Sequence, residues 1–405
     1  MGGTRKGGAW VEKERIGLMG GSFNPIHQGH VAMARRAMEV ASLNKVLFIP
    51  TGNPPHKREG LADAAARLFM VRMAVAFEEG FYPSTIEMNR SGIVYSVDTL
   101  SLLHEQMPQA SLFFIIGEDT LYELPHWRDP DRVFTLCSFL VCPRPGVAAG
   151  ESAASFRKAL EDRGAKLQNI PMVPMNLSST AIRDQLEKGN PPDGVSPAVE
   201  EYIRVMGLYG AAAHPKGASG HMNQLLDAVG DARMAHTLSV AITARNLAKQ
   251  HDVNAEKAEL AGLYHDCAKG MTLKALQAYA DEHGLKADEI SRNSGALLHS
   301  MLGAHLAKFR YGVEDTDVLE AITCHTLGRI PMSKLDMVVF LADKIEPTRE
   351  TYTQLEEIRR LAKTSLAGAV LKSMESTAGY VQSRGKAMHP AMWQVMAWLK
   401  SLNGA

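Results

Sequence analysis

The chain has 405 residues, too many for one compact core, so two domains or more are expected. Lys plus Arg (44) equal Asp plus Glu (44), which excludes a global field favouring nucleic acid or an anionic membrane. Four cysteines without a CxxC pair argue for a reducing compartment. No stretch has the apolar length of a bilayer span, and MGGTRKGGAWVEKER lacks the apolar run of a signal peptide, so a cytoplasmic location is expected.

The first half alternates β-rich runs with amphipathic stretches. Strands are expected at IGLM (16–19), KVLFIP (45–50), STIEM (84–88), SLFFIIG (111–117), SFLVCP (138–143) and NIPMV (169–173). Between them VAMARRAMEVA and AAARLFMVRMAVAF carry apolar residues at helical spacing. Such alternation predicts an α/β domain over 14–210, with a parallel sheet that binds its ligand at the carboxyl ends of the strands. GAAAHPKGASG then reads as a linker, assigned 211–221. From 222 to 405 the strand signals stop and apolar residues recur at three and four, which predicts an all-α domain.

In GGSFNPIHQGH (20–30) a strand runs into a tight Gly-Gly turn, and Gly29-His30 opens a helix. A helix N-terminus offers free N–H groups and the positive end of the dipole. His27 and His30 are therefore expected beside phosphate. A metal reading would need a carboxylate or third histidine in the motif, and there is none. NPPHK (53–57) brings His56 and Lys57 to the same sheet edge. LSSTAIRDQL (177–186) follows the last strand, where Ser178, Ser179 and Thr180 can cap a helix and Arg183 can fork onto phosphate oxygens.

HQGH (27–30) followed by SSTAIR (178–183) resembles the nucleotidyltransferase superfamily with HxGH-type and SSTxIR-type motifs. Within it, GGSFNPIHQGH, NPPHK, YSVDTL (95–100), IGEDTLYELPHW (116–127) and CPRPG (142–146) resemble bacterial nicotinate-nucleotide adenylyltransferase. The resemblance implies a Rossmann-like domain that transfers AMP from ATP, with Mg²⁺, to nicotinate mononucleotide. It implies His27, His30, Lys57 and Arg183 as the catalytic cations and donors, with Gly20, Gly21, Ser22, Phe23, Gly29, Gly117, Asp119, Ser178, Ser179 and Thr180 on the nucleotide. His56, Ser96, Thr99 and Trp127 are expected at the acceptor. Trp127 is equally explained by core packing. Ser96 stands where the family usually has threonine, which loosens the preference for the acid over the amide substrate.

The helical half sets His236, the pair His265-Asp266, His299, His325 and Asp343 in apolar helical surroundings. Carboxylates buried there are costly unless paired or bound to metal. The order H…HD…H…H…D resembles the two-metal HD-domain phosphohydrolases. HTLSVA, AGLYHDCAKG, AITCHTLGRIPMSKLD and ADKIEPTRE resemble their bacterial symmetrical bis(5′-nucleosyl)-tetraphosphatase branch. The resemblance implies hydrolysis of diadenosine tetraphosphate to two ADP. It makes His236, His265, Asp266, His299, His325 and Asp343 ligands of two divalent ions, iron or manganese by donor type, with Lys269 on phosphate. Arg329 and Arg349 are further phosphate candidates; His305, Cys267 and Cys324 are expected to be structural.

The expectation is thus a bifunctional enzyme acting on small nucleotides, with no nucleic-acid or membrane partner and self-association left open. Two alternatives stand beside it: a helical half that binds nucleotide without turnover, or a transferase whose acceptor is nicotinamide mononucleotide or phosphopantetheine.

Overall fold

The computed structural model describes residues 4–6, 9–11, 13–52, 60–88, 90, 92–144, 151–211, 217–349, 352–385 and 387–403. The chain forms two compact units, 1–196 with 209–211, and 197–208 with 212–405. His56 and Lys57 lie outside the described residues.

In the first unit six strands form one parallel sheet: β1 (Arg15–Gly21), β2 (Lys45–Pro50), β3 (Phe81–Pro83), β4 (Ser111–Gly117), β5 (Ser138–Cys142) and β6 (Leu167–Asn169). Their order is β3-β2-β1-β4-β5-β6. The chain reverses its direction of winding between β1 and β4, and such a switch point opens a crevice at the strands' carboxyl ends. The longer helices of the unit are α1 (Gln28–Val40), α2 (Ala64–Val75), α3 (Ser96–Gln106), α4 (Pro130–Leu136), α5 (Glu151–Asp162) and α6 (Ser179–Glu187), and a two-stranded antiparallel hairpin, Thr4–Lys6 with Ala9–Val11, precedes the sheet. One core joins Ile16 and Leu18 of β1, Phe114 and Ile116 of β4 and Phe139 of β5 to Leu100 and Leu103 of α3 and Phe134 of α4. Near-continuous apolar strands are what a sheet covered on both faces requires.

Two strands lie elsewhere than expected. STIEM is not a strand: pairing with β2 begins at Val46↔Phe81 and ends at Phe48↔Pro83, and 84–88 turns away, with Met88 N–H donating to Thr85 O. NIPMV is entered only at its first residue, because β6 pairs with β5 over 167–169 and Pro171 has no N–H to continue the ladder.

The second unit is helical: α7 (Pro197–Met206), α8 (Met222–Val229), α9 (Asp231–Gln250), α10 (Ala255–Tyr264), α11 (Leu273–Glu282), α12 (Gly295–Phe309), α13 (Thr316–Cys324), α14 (Lys334–Ile345), α15 (Leu355–Ala362), α16 (Leu366–Ser383) and α17 (Pro390–Asn403). Residues 234–242 of α9 are buried without a break, as in a helix packed within a bundle. Helix α7, assigned from sequence to the first domain, packs in this unit. Val199, Tyr202, Ile203 and Val205 are buried, and Arg204 pairs with Glu201 at 3.4 Å and with Glu259 of α10. The assigned linker is structured at its far end, where His221 Nδ1 lies 2.8 Å from Tyr264 Oη. Among the described residues no helix is long and apolar enough to cross a membrane.

Candidate active sites

The first site gathers at the β1–β4 switch point. Phe23, at φ 46°, turns the chain after β1, and its ring meets His30 edge-on with centroids 5.1 Å apart. His27 is the N-cap of α1, and its N–H donates to His30 Nδ1 at 3.2 Å. That bond fixes the neutral tautomer of His30, leaving its proton on Nε2. The two rings lie 3.8 Å apart, and Gly29 is what permits it, since a Cβ there would sit 2.9 Å from His27 Nδ1. Burial, with Arg144 alongside, pushes His27 down to about 4; burial, His27 and Arg144 hold His30 well below its ordinary value. Both are neutral donors and acceptors near pH 7.

His27, Gly29, His30 and Arg144 line one small cleft with Met172, Met175 and Leu177. Arg144 belongs to CPRPG but is not among the residues expected there from sequence. The arginine reaches Asp119 Oδ1 at 3.3 Å and Leu177 O at 3.4 Å, linking the ends of β4 and β5 to the approach to α6. Gly117 is tight against the same pair, for a Cβ would come within 2.3 Å of Asp119 Oδ1.

The expected cap is present at α6. Ser178 Oγ accepts from Ala181 N–H at 3.1 Å, and Ser179 Oγ donates to Pro25 O at 2.9 Å. Arg183 donates to Asn24 O at 2.8 Å and to Thr180 Oγ1 at 3.3 Å, so its fork holds the β1 turn here. The expected Gly-Gly turn is instead the end of β1, where Gly20 and Gly21 pair with Ile49 and Pro50 of β2, and the chain turns only from Ser22; Gly20 is exposed, Gly21 and Ser22 half-buried.

On the acceptor side Ser96 is half-buried at the start of α3. Thr99, expected at the substrate, is instead buried, and its hydroxyl donates to Glu87 Oε1 at 2.8 Å. Trp127 packs edge-on against Phe114, centroids 5.5 Å apart, and against Phe139 at 6.5 Å.

In the second unit all six expected ligands converge. His236 lies on α9, His265 and Asp266 follow α10, His299 lies on α12, His325 follows α13 and Asp343 lies on α14; each is buried. Two triads, His236/His265/Asp266 and Asp266/His299/His325, share Asp266, with candidate ligand atoms in each within 4.8 Å of one another. Asp343 Oδ1 lies 3.1 Å from His236 Nε2 and 3.8 Å from His265 Nε2.

The tautomers favour a cation. His265, His299 and His325 each place Nδ1 on a backbone carbonyl, of Gly262 (2.7 Å), Gly295 (3.1 Å) and Ile322 (2.6 Å) respectively. A carbonyl only accepts, so the proton is on Nδ1 and the Nε2 lone pairs turn inward. His299 Nε2 and His325 Nε2 then face each other at 3.2 Å, and buried His265 Nε2 has no hydrogen-bond partner among the described residues. Converging lone pairs and an orphaned nitrogen are costly without a cation, so these residues fit divalent metal. Burial works against the Asp266 carboxylate, but the imidazoles around it hold it well below the usual carboxylate range.

Glu346, which sequence reasoning passes over, orients the fourth imidazole. Its Oε1 lies 3.1 Å from His236 Nδ1, while Ser239 Oγ donates to Oε2 at 2.6 Å. The missed signal was its place one turn beyond Asp343. Arg233, also missed, sits three residues before His236 and pairs with Asp266 at 3.0 Å. Lys269 Nζ stands 3.3 Å from the His299 ring nitrogens, and burial lowers its pKa. Arg349 pairs with Asp343. Arg329 is tied up elsewhere, 2.7 Å from both Glu320 and Asp336, and is no free phosphate contact. Cys267 and Cys324 are buried with thiols pushed up, which fits their structural assignment.

The cytidylyltransferase-like family matches residues 18–185 and the HD-domain family residues 233–348. A protein of Mycoplasma pneumoniae named "Probable nicotinate-nucleotide adenylyltransferase/Ap4A hydrolase" is 30% identical over 91% of this chain and 99% of its own length. A Mycoplasma genitalium protein of the same name is 29% identical over 92% and 99%. A Gloeobacter violaceus protein named "Probable nicotinate-nucleotide adenylyltransferase" is 39% identical over 49% of this chain and 98% of its own. With both domains in the same order over almost the whole of these relatives, the chain belongs to the family of two-domain nicotinate-nucleotide adenylyltransferase/Ap4A hydrolases.

Proposed function

We propose that the chain is a bifunctional enzyme. The first unit transfers AMP from ATP to nicotinate mononucleotide, giving deamido-NAD and pyrophosphate, and the second hydrolyses diadenosine tetraphosphate to two ADP. The observation that carries this is that each unit holds its own buried constellation of complementary chemistry, neutral histidines at a helix N-terminus in one and two carboxylate-linked imidazole triads in the other.

In the transferase the attacking and leaving groups are both phosphates, so positioning and charge neutralisation suffice. His30, with its proton on Nε2, donates to an oxygen of the transferred phosphoryl group, and the N-terminus of α1 adds its dipole. Arg144 supplies fixed positive charge in the same cleft, and the NPPHK motif contributes Lys57 as a further cation. Magnesium bound with ATP neutralises the outer phosphates. Trp127, held edge-on against Phe114, and Ser96 at the start of α3 belong to the proposed acceptor side, and Thr99 acts through Glu87.

In the hydrolase His236, His265, Asp266, His299, His325 and Asp343 hold two divalent ions, for which the imidazole-rich set suits iron or manganese better than magnesium. Such a pair polarises phosphate and lowers the pKa of water. Lys269, Arg233 and Arg349 ring the carboxylates and are placed for the charge of a polyphosphate chain.

Product analysis of metal-loaded protein tests this. Diadenosine tetraphosphate is expected to give two ADP, with His265→Ala abolishing that activity and sparing deamido-NAD synthesis. No turnover with any divalent metal would leave the helical unit a binding module. Faster transfer to nicotinamide mononucleotide would reassign the acceptor.

A further inference from the structure

Arg67, on α2, is 1% exposed, yet its acceptors among the described residues are all backbone carbonyls. Nε donates to Ala62 O at 2.9 Å, one terminal nitrogen to Ser22 O at 2.8 Å, and the other to Thr51 O at 2.7 Å and Gly52 O at 3.4 Å. These carbonyls come from three segments: the turn after β1, the end of β2 and the approach to α2. Burying a guanidinium is costly unless its N–H groups are paired, and only a planar fork reaches three segments at once; an ammonium has no such geometry.

The same segments are joined from other directions. Gly52 N–H is hydrogen-bonded to Glu87, and a Cβ on Gly52 would come within 2.3 Å of Glu87 O, so the 51–52 backbone is gripped on both sides. Asn24, next to Phe23 in the β1 turn, donates to Gly60 O at 3.0 Å and accepts from Ala62 N–H at 3.0 Å. Thr51 N–H donates to Gly21 O at 2.9 Å. Beyond the β1–β2 ladder, which ends at Gly21↔Pro50, and the Phe23–Phe48 ring contact, these bonds tie the turn before His27 to the end of β2, and Arg67 alone among these side chains reaches all three segments.

We propose that Arg67 is a positioning residue for adenylyl transfer, holding the turn that carries His27 and His30 in register with the end of β2. It touches no substrate. The proposal rests on the transferase reading of the first unit, and it separates fixing a reactive geometry from merely supporting the fold.

The test is Arg67→Lys in the full, metal-loaded chain, assayed well below its unfolding temperature. The expected result is a kcat for deamido-NAD formation at least tenfold lower, with KM for nicotinate mononucleotide within twofold and hydrolysis of diadenosine tetraphosphate unchanged. Amide exchange at Thr51 and Ala62 should quicken at least tenfold while Leu18 and Val46 keep their protection. A wild-type kcat with only a lower melting temperature would overturn the proposal. Wild-type protein that makes no deamido-NAD would instead sink the transferase reading, with the exchange result still judging the clamp. Should the variant not fold, exchange on wild-type decides: Thr51 and Ala62 opening together with α2 supports the clamp, and their opening freely on their own overturns it.

Discussion

A Cβ at residue 29 would lie 2.9 Å from His27 Nδ1 and 3.0 Å from its Cε1, well inside packing distance. Gly29→Ala therefore drives the His27 ring off its neighbour, and deamido-NAD synthesis is expected to fall at least tenfold while the hydrolase of the same preparation is unchanged. Equal rates would mean that the ring has room to move. His27 also ties stability to pH. Burial, then Arg144, lowers its pKa from 6.5 to about 4, and half-buried His30 shifts the same way. As pH falls, the unfolded chain takes up the proton first. Stability is then complete above about 6.5, declines through the window below it and levels off near 4, a loss of roughly 3 kcal/mol from His27. Thermal melts at pH 7.5 and 5 should show the first unit's transition moving down; a transition that stays put contradicts the buried neutral imidazole. Little of this was legible in HQGH. The motif announced phosphate chemistry at a helix start, but Arg144 and Arg67 act through distances that sequence does not carry.

Between helices α9 and α10 the decisive contact is again a missing side chain. A Cβ on Gly262 would meet Ala241 Cα at 2.8 Å, and the Gly262 carbonyl receives His265 Nδ1 at 2.7 Å. Gly262→Ala must push α10 outward and carry His265 with it. We expect a loss of about 1–3 kcal/mol in the second unit, with at least tenfold weaker metal retention, read by denaturant unfolding and metal analysis after dialysis. Full metal content would show that α10 yields without moving its ligand. At this scale the sequence was informative where a local rule decides: the β/α alternation, the Ser178 cap and the helices that gather the histidines and carboxylates were all legible. It failed where a partner decides. The third strand starts at Phe81 because Val46 pairs there, not because STIEM lacks β-forming residues. Glu346 looks like any helix-end acid until His236 and Ser239 close on it.

Two units with separate constellations should respond separately to chelation. On the proposed two-metal reading the ions favour the folded cluster over the unfolded chain, so removing them is expected to lower the second unit's melting transition and leave the first in place. Calorimetry with and without a chelator checks this; two transitions that shift together would mean that the units are energetically coupled. The order of the domains was legible from the point where strand signals stop. The seam was not, because α7 is judged by where its apolar face is buried and not by its place before the Gly-Ala-Pro stretch. That seam has a practical consequence. The backbone enters the helical unit at 197, returns for 209–211 and leaves again, while Tyr209 donates its hydroxyl to Asn24 at 2.7 Å. A cut before 197 robs the transferase of Tyr209, and a cut after 211 strips α7 from the hydrolase. No single scission frees both catalysts whole, so isolating either one calls for re-threading its ends instead of trimming them.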